Sequence, residues 1–173
     1  MLLNRNTIFP AAVTAKPIQY ALGALRRDFD RIFAATAAPG GRLRLTINHT
    51  LAAEQYTLTA GTDTLLLSAS DDLGFVYGLF EISRHFLGVQ PFWFWNDQPF
   101  EVRESVKIPT NTVIESKPAR VTYRGWFIND ETLLSHWKVE RRADLPFIMT
   151  FETLLRLGGN MVIPGTGKNA HIR

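Results

Sequence analysis

Tyr123-Arg124-Gly125-Trp126-Phe127-Ile128-Asn129-Asp130-Glu131 is an apolar, strand-forming run that ends abruptly in three polar side chains. A buried parallel strand that delivers chemistry at its carboxyl end has this form. The run predicts a strand over about Val121–Ile128, with Asn129, Asp130 and Glu131 at its mouth. Downstream, Leu133–Trp137 reads as a short helical turn or lid. Thr150–Leu157 reads as a helix presenting Leu154 and Leu155 and stopped by Gly158-Gly159. Asn160-Met161-Val162-Ile163-Pro164 then reads as a second strand, which completes one βα unit and opens the next.

Upstream of the run, Pro109–Thr112 and Glu115–Pro118 form a polar, proline-bounded connection, and the domain boundary is placed there. Residues 1–118 are expected to form an α+β domain, a small mixed sheet with two helices. Residues 119–173 are expected to begin a (β/α)8 barrel. In the first part, Thr7-Ile8-Phe9 is a short candidate strand ended by Pro10. A helix over about Pro17–Thr36 carries an apolar stripe at Ile18, Leu22, Leu25, Phe29, Ile32 and Phe33, with Pro17 in its first turn.

Leu43, Leu45 and Ile47 alternate with polar residues, as do Tyr56, Leu58 and Ala60, the period of half-buried strands. Thr64–Ala69 is apolar at its centre and predicts an interior strand covered on both faces. Ser70-Asp71-Asp72 caps a helix running to about Leu87, with Gly88 as its stop. Gly74 and Gly78 leave a groove on it for a closely packed strand. Pro91-Phe92-Trp93-Phe94-Trp95 is an aromatic patch, read here as a strand buried between layers. Trp93 and Trp95 as a sugar platform is the other reading. Ser105–Ile108 is the last strand expected in this part.

The 173 residues are 46% hydrophobic and 20% charged with net charge +3, ordinary values for a globular chain of one domain or one domain and a piece. Arg26, Arg27 and Arg31 alternate with Asp28 and Asp30, and Arg141 and Arg142 lie between Glu140 and Asp144. Mixed charge of this kind marks a solvated face, so no nucleic-acid partner is expected. Without cysteine, a disulfide framework and a cysteine-ligated zinc site are excluded. Met1-Leu2-Leu3-Asn4-Arg5 has no signal-peptide pattern, and no apolar run is long enough to span a membrane.

The chemistry narrows further. Glycoside hydrolysis sets two carboxyl groups on opposite sides of one bond, about 5 to 9.5 Å apart. Asp130 and Glu131 are adjacent, and successive strand side chains point to opposite faces. At most one of them serves such a bond, and Asp130 also suits an N-cap for a turn at Thr132. His49, His85, His136 and His171 have no metal-binding spacing, and no cofactor is implied. Gly165-Thr166-Gly167-Lys168 lacks the spacing of a phosphate loop.

The order of these parts resembles the N-terminal region of glycoside hydrolase family 115, the xylan α-glucuronidases. The Asp71–Glu81 helix, the Pro-Phe-Trp-Phe-Trp connection and Arg124, Gly125, Phe127, Ile128, Asn129, Asp130 and Glu131 carry the resemblance. It covers roughly Asp71–Pro164 by motif and the preceding part by layout. The resemblance implies a domain like domain 2 of the family 20 hexosaminidases, followed by a (β/α)8 barrel that binds a glucuronate side group of plant-type polysaccharide. It also implies that Arg124, Asn129, Asp130 and Glu131 serve substrate binding. Family members are often secreted or periplasmic. Thr132 stands where the family has a further acid, and no tryptophan accompanies Pro164.

A complete barrel takes about 250 residues, and Val121–Arg173 has room for little more than one βα unit and a strand. The expectation is a chain inactive by itself, with the catalytic acid beyond Arg173, a carbohydrate partner, no membrane partner, and self-association through the unfinished barrel. The alternative is a non-catalytic carbohydrate-binding or interaction domain in which Trp93 and Trp95 touch glycan.

Overall fold

The apolar stripe beginning at Ile18 winds into a helix whose buried face is Ile18, Ala21, Ala24, Leu25, Asp28, Phe29 and Ile32. In the computed structural model, residues 1–128, 134 and 136–165 are described, and the chain divides into two units, Met1–Arg120 and Val121–Arg173. The first unit runs β1 (Leu2–Asn4), α1 (Lys16–Ile32), β2 (Arg42–Ile47), β3 (Tyr56–Ala60), β4 (Thr64–Ala69) and α2 (Asp72–Ile82). A π-helical turn at Ser83–Leu87, β5 (Ser105–Lys107) and β6 (Val113–Glu115) follow. The second runs β7 (Gly125–Ile128), α3 (Leu145–Arg156) and β8 (Met161–Pro164).

The main sheet has the order β2-β4-β3-β6, with β2 parallel to β4 and the other pairs antiparallel. Separately, β1 pairs antiparallel with β5. Mixed sheet and helices make the α+β fold that the alternating patterns predict. Asp71 accepts a 2.9 Å hydrogen bond from the Gly74 N–H, so the expected cap forms. The glycine groove is real too. A Cβ at Gly74 would stand 2.5 Å from the Gln55 carbonyl oxygen, and one at Gly78 would collide with the Leu67 side chain.

Several expectations need correction. The strand near the start is Leu2–Asn4, while Ile8 makes only an isolated bridge to Arg42. Helix α1 ends at Ile32 because Phe33 turns into extended backbone and Ala34 donates to the Arg103 carbonyl (3.0 Å). Asp28 belongs to the buried face instead of the solvated one, and it accepts a 2.8 Å bond from the buried Ser83 hydroxyl. Strand β4 is covered on one face: Leu65, Leu67 and Ala69 are buried, while Thr64, Leu66 and Ser68 are half-buried. The aromatic patch forms turns, with Trp93 and Trp95 donating to the Gln90 and Phe92 carbonyls. Val113–Glu115, read as connection, pairs with β3 as an edge strand.

The core of the first unit gathers Leu25, Phe29, Ile32 and Phe33 with Leu58, Leu65, Leu67, Leu79 and Ile82, all nearly inaccessible. Phe29 stacks edge-on against Phe9 and Phe33, each at 5.1 Å. Burying nine such side chains contributes about 1.5–3 kcal/mol each before the entropy of ordering them is subtracted.

In the second unit β7 and β8 are parallel, with Gly125 opposite Met161 and Ile128 opposite Pro164. Helix α3 connects them, starting five residues earlier than the sequence suggests because Pro146 occupies its first turn. At its other end Gly158 (φ 76) takes the left-handed position. Gly158 donates to Leu155 at 3.0 Å and Gly159 to Leu154 at 2.8 Å, the paired bonds of a glycine-terminated helix.

Candidate functional site

Because β7 and β8 are parallel, their carboxyl ends lie side by side, and Gly165 donates a 2.7 Å bond to the Ile128 carbonyl there. In parallel α/β units, this end is where ligands bind. The chain leaves β7 directly into Asn129-Asp130-Glu131. Those three residues lie outside the described residues, as do the cap at Thr132, Leu133 and Ser135 of the Leu133–Trp137 turn, Thr166–Lys168 and His171.

Arg124 is described, and it stands at the other end of β7. Its Nε donates to the Gly158 carbonyl at 2.8 Å, and its Nη1 donates to Val121 at 2.9 Å and Thr122 at 3.4 Å. Asn160 completes the clamp: its Oδ1 accepts from the Arg124 N–H at 2.9 Å, and its Nδ2 donates to the Thr122 carbonyl at 2.8 Å. These bonds tie the amino end of β7 to the turn that precedes β8. Arg124 thus stands at the amino end of β7, opposite the end at Ile128. The neighbouring Gly125 has its own reason, since a Cβ there would collide with the Met161 carbonyl oxygen. In the Arg-Gly pair, the arginine fixes the turn and the glycine admits the partner strand.

The loop between β7 and α3 supplies groups that the motif reading passed over. Trp137 is 40% exposed, and Lys138 and Arg141 are exposed. Arg142 forks onto Asp144, Nε to Oδ1 at 3.1 Å and Nη2 to Oδ2 at 2.7 Å. The guanidinium holds the Asp144 carboxyl below the usual carboxylate range, and the same bond raises Arg142. Only the sequence Glu140-Arg141-Arg142 hints at this cluster.

The aromatic patch behaves differently. Trp93 is 8% exposed, with the Arg31 guanidinium over its ring at 3.9 Å and Arg27 at 5.2 Å. A ring closed in this way has no free face for a sugar. Trp95 is half-buried and meets Phe94 edge-on at 5.1 Å. Among the described residues, no group of His, Asp and Glu is placed to hold a metal ion, and no helix is long and apolar enough to cross a membrane.

Known proteins bear on this geometry. Residues 116–173 match the profile of Glycosyl hydrolase family 115. No curated protein matches the sequence. Among solved structures, the chain is similar to BtGH115A, a family GH115 4-O-methyl-α-glucuronidase with specificity for decorated arabinogalactans, at 23% identity and a TM-score of 0.74. That likeness covers 95% of this chain and 26% of the other. A GH20 exo-β-N-acetylglucosaminidase from Vibrio harveyi is similar at 13% identity and a TM-score of 0.59, over 94% of this chain and 22% of that one. The chain thus spans about a quarter of the length of these relatives, and the shared fold runs through both of its units. With the family profile falling on the second unit and the fold shared throughout, the chain resembles the N-terminal region of a glycoside hydrolase family 115-like protein.

Proposed function

We propose that this chain is part of a glycoside hydrolase that removes acidic side groups, of the glucuronate kind, from a plant-type polysaccharide such as xylan. In this reading the first unit is a supporting α+β domain, and the βα unit of the second begins a (β/α)8 barrel. One observation carries it: the parallel ends of β7 and β8 meet at the Gly165–Ile128 bond, where β7 runs directly into Asn129, Asp130 and Glu131. That position is where barrel enzymes gather their catalytic side chains. We assign substrate contacts to Asn129, Asp130 and Glu131, and the amino-end clamp to Arg124. The catalytic carboxyl pair would need a second group from another strand.

The test is hydrolysis by the protein as its source cells make it, with Glu131→Gln and Asn129→Ala as variants. Removing a contact made in the transition state lowers kcat/KM by about 10²–10³. Unchanged hydrolysis in both variants would remove these residues from the site. The buried Trp93 supplies no support for the alternative of a glycan-binding module built on the aromatic patch.

A further inference from the structure

Each unit is clasped by hydrogen bonds just where the chain passes from one to the other. At the end of the first, the Ser116 N–H donates to the Tyr56 carbonyl at 3.0 Å, and the Ser116 Oγ accepts from the Tyr56 N–H at 2.8 Å. The Gln55 side chain closes this clasp by donating to the Ser116 carbonyl at 2.9 Å. At the start of the second, Arg124 and Asn160 bond in both directions. The Arg124 N–H donates to Asn160 Oδ1 at 2.9 Å, and the Asn160 N–H donates to the Arg124 carbonyl at 2.8 Å.

Between the clasps runs Lys117–Tyr123. All of its residues are exposed, Val121 at 59% and Tyr123 at 73%, and none belongs to a helix or strand. Among the described residues, none of their N–H groups donates a backbone hydrogen bond. Burial and backbone bonding decide where a folded chain is nicked, because a protease must draw the chain out as an extended strand. Arg120 gives this stretch its chemistry. Lys117 is followed by Pro118, whose ring makes the preceding bond a poor substrate. Every other lysine or arginine of the first unit lies in a helix, a strand, an isolated bridge or a hydrogen-bonded turn.

We infer that the Arg120–Val121 bond is a processing site for a serine protease with an acidic, arginine-selecting pocket, and that the cut releases the first unit as a folded domain. Water adds across the bond: Arg120 gains a carboxylate and Val121 an amino group, and no other reactant is consumed. The released unit keeps its core, since Leu25, Phe29, Leu58, Leu67 and Leu79 all precede the cut, and it keeps the clasp at Ser116. Arg124 lies only four positions further on and is spared, because its own backbone is bonded to Asn160 on both sides. The inference stands apart from the glycosidase reading.

The experiment is limited trypsin digestion of the full chain under native conditions, with the products identified by mass spectrometry over time. The first products should be a fragment ending at Arg120 and one beginning at Val121, with the bond after Arg124 intact. The fragment ending at Arg120 should then outlast the intact chain by about tenfold, as a closed domain does. Arg120→Gln removes the recognised side chain, and Val121→Pro keeps it but blocks the bond; each should slow the loss of intact chain about tenfold. A first cut at Arg124, Lys138 or Arg141, or variants digested at the wild-type rate, would overturn the assignment of the site. A fragment ending at Arg120 that is degraded as fast as it forms would overturn the release of a folded domain.

Discussion

The two units differ in how far each satisfies itself. The first closes its core: Leu25, Phe29, Leu58, Leu67 and Leu79 are all 1% exposed or less. In the second, Met149 and Leu154 are the buried hydrophobic residues among those described. Tyr123, Phe127, Leu157 and Ile163 remain 73%, 56%, 51% and 47% exposed, and Phe127 and Ile163 face each other across β7 and β8. The Trp126 indole N–H is buried without an acceptor among the described residues. Parallel strands are ordinarily covered on both faces. Among the described residues, the first unit thus has a well-filled core and the second an open parallel pair, β7 with β8.

Leu67→Ala should break this contrast most strongly. Removing a side chain with no exposed surface beneath α2 should destabilise the first unit by about 2–5 kcal/mol in urea denaturation. A loss below about 1 kcal/mol would show that the core is less closed than its geometry implies. Gly125→Ala should follow, at about 1–3 kcal/mol, because the new methyl group meets the Met161 carbonyl. Hydrogen exchange should then rise in β7 and β8 while the first unit keeps its protection. A uniform rise across both would mean that the units fold together.

Alkaline pH probes the first unit more gently. Burial pushes the Tyr56 phenol well above its ordinary value of about 10, Glu81 adds to the rise, and Arg84 opposes it. The folded state therefore holds this proton more tightly than the unfolded chain. Its contribution to stability is complete below about pH 10 and is lost as pH rises toward and through the folded value. Tyr56→Phe should lose less stability over that interval, and identical pH profiles for variant and wild type would contradict the assignment. The smallest effect is expected in the second unit. Phe127→Ser should change stability by less than about 0.5 kcal/mol, since the ring is already exposed, and should weaken any self-association seen in ultracentrifugation.

How much the sequence reveals also differs between the units. Period-two alternation locates β2 and β3, the continuous apolar centre of Thr64–Ala69 locates β4, and the three- and four-residue apolar steps locate α1. Strands β1 and β6 escape notice. Each has three residues and exists through its pairing with a distant partner, Lys107 with Leu2 and Ile114 with Leu58. Asp28 looks like surface charge until its ladder position beside Leu25, Phe29 and Ile32 is seen with the Ser83 hydroxyl across from it. Trp93 is enclosed by arginines from α1, contacts that no local pattern announces.

At the candidate site, the polar run after Ile128 is legible as a motif, whereas the work of Arg124 is not. Its partners at Gly158 and Asn160 are more than thirty positions away and meet it only when α3 folds back. The tip at Glu140-Arg141 is harder still, for it forms a turn without the Asn or Gly that usually signals one.

The most direct test of the proposed function is the release of acidic sugar from glucuronate-decorated xylan by the protein purified from its source cells, followed by chromatography. The expected product is free glucuronate, with the polysaccharide backbone left intact. A folded protein that releases no acidic sugar from this polymer would contradict it.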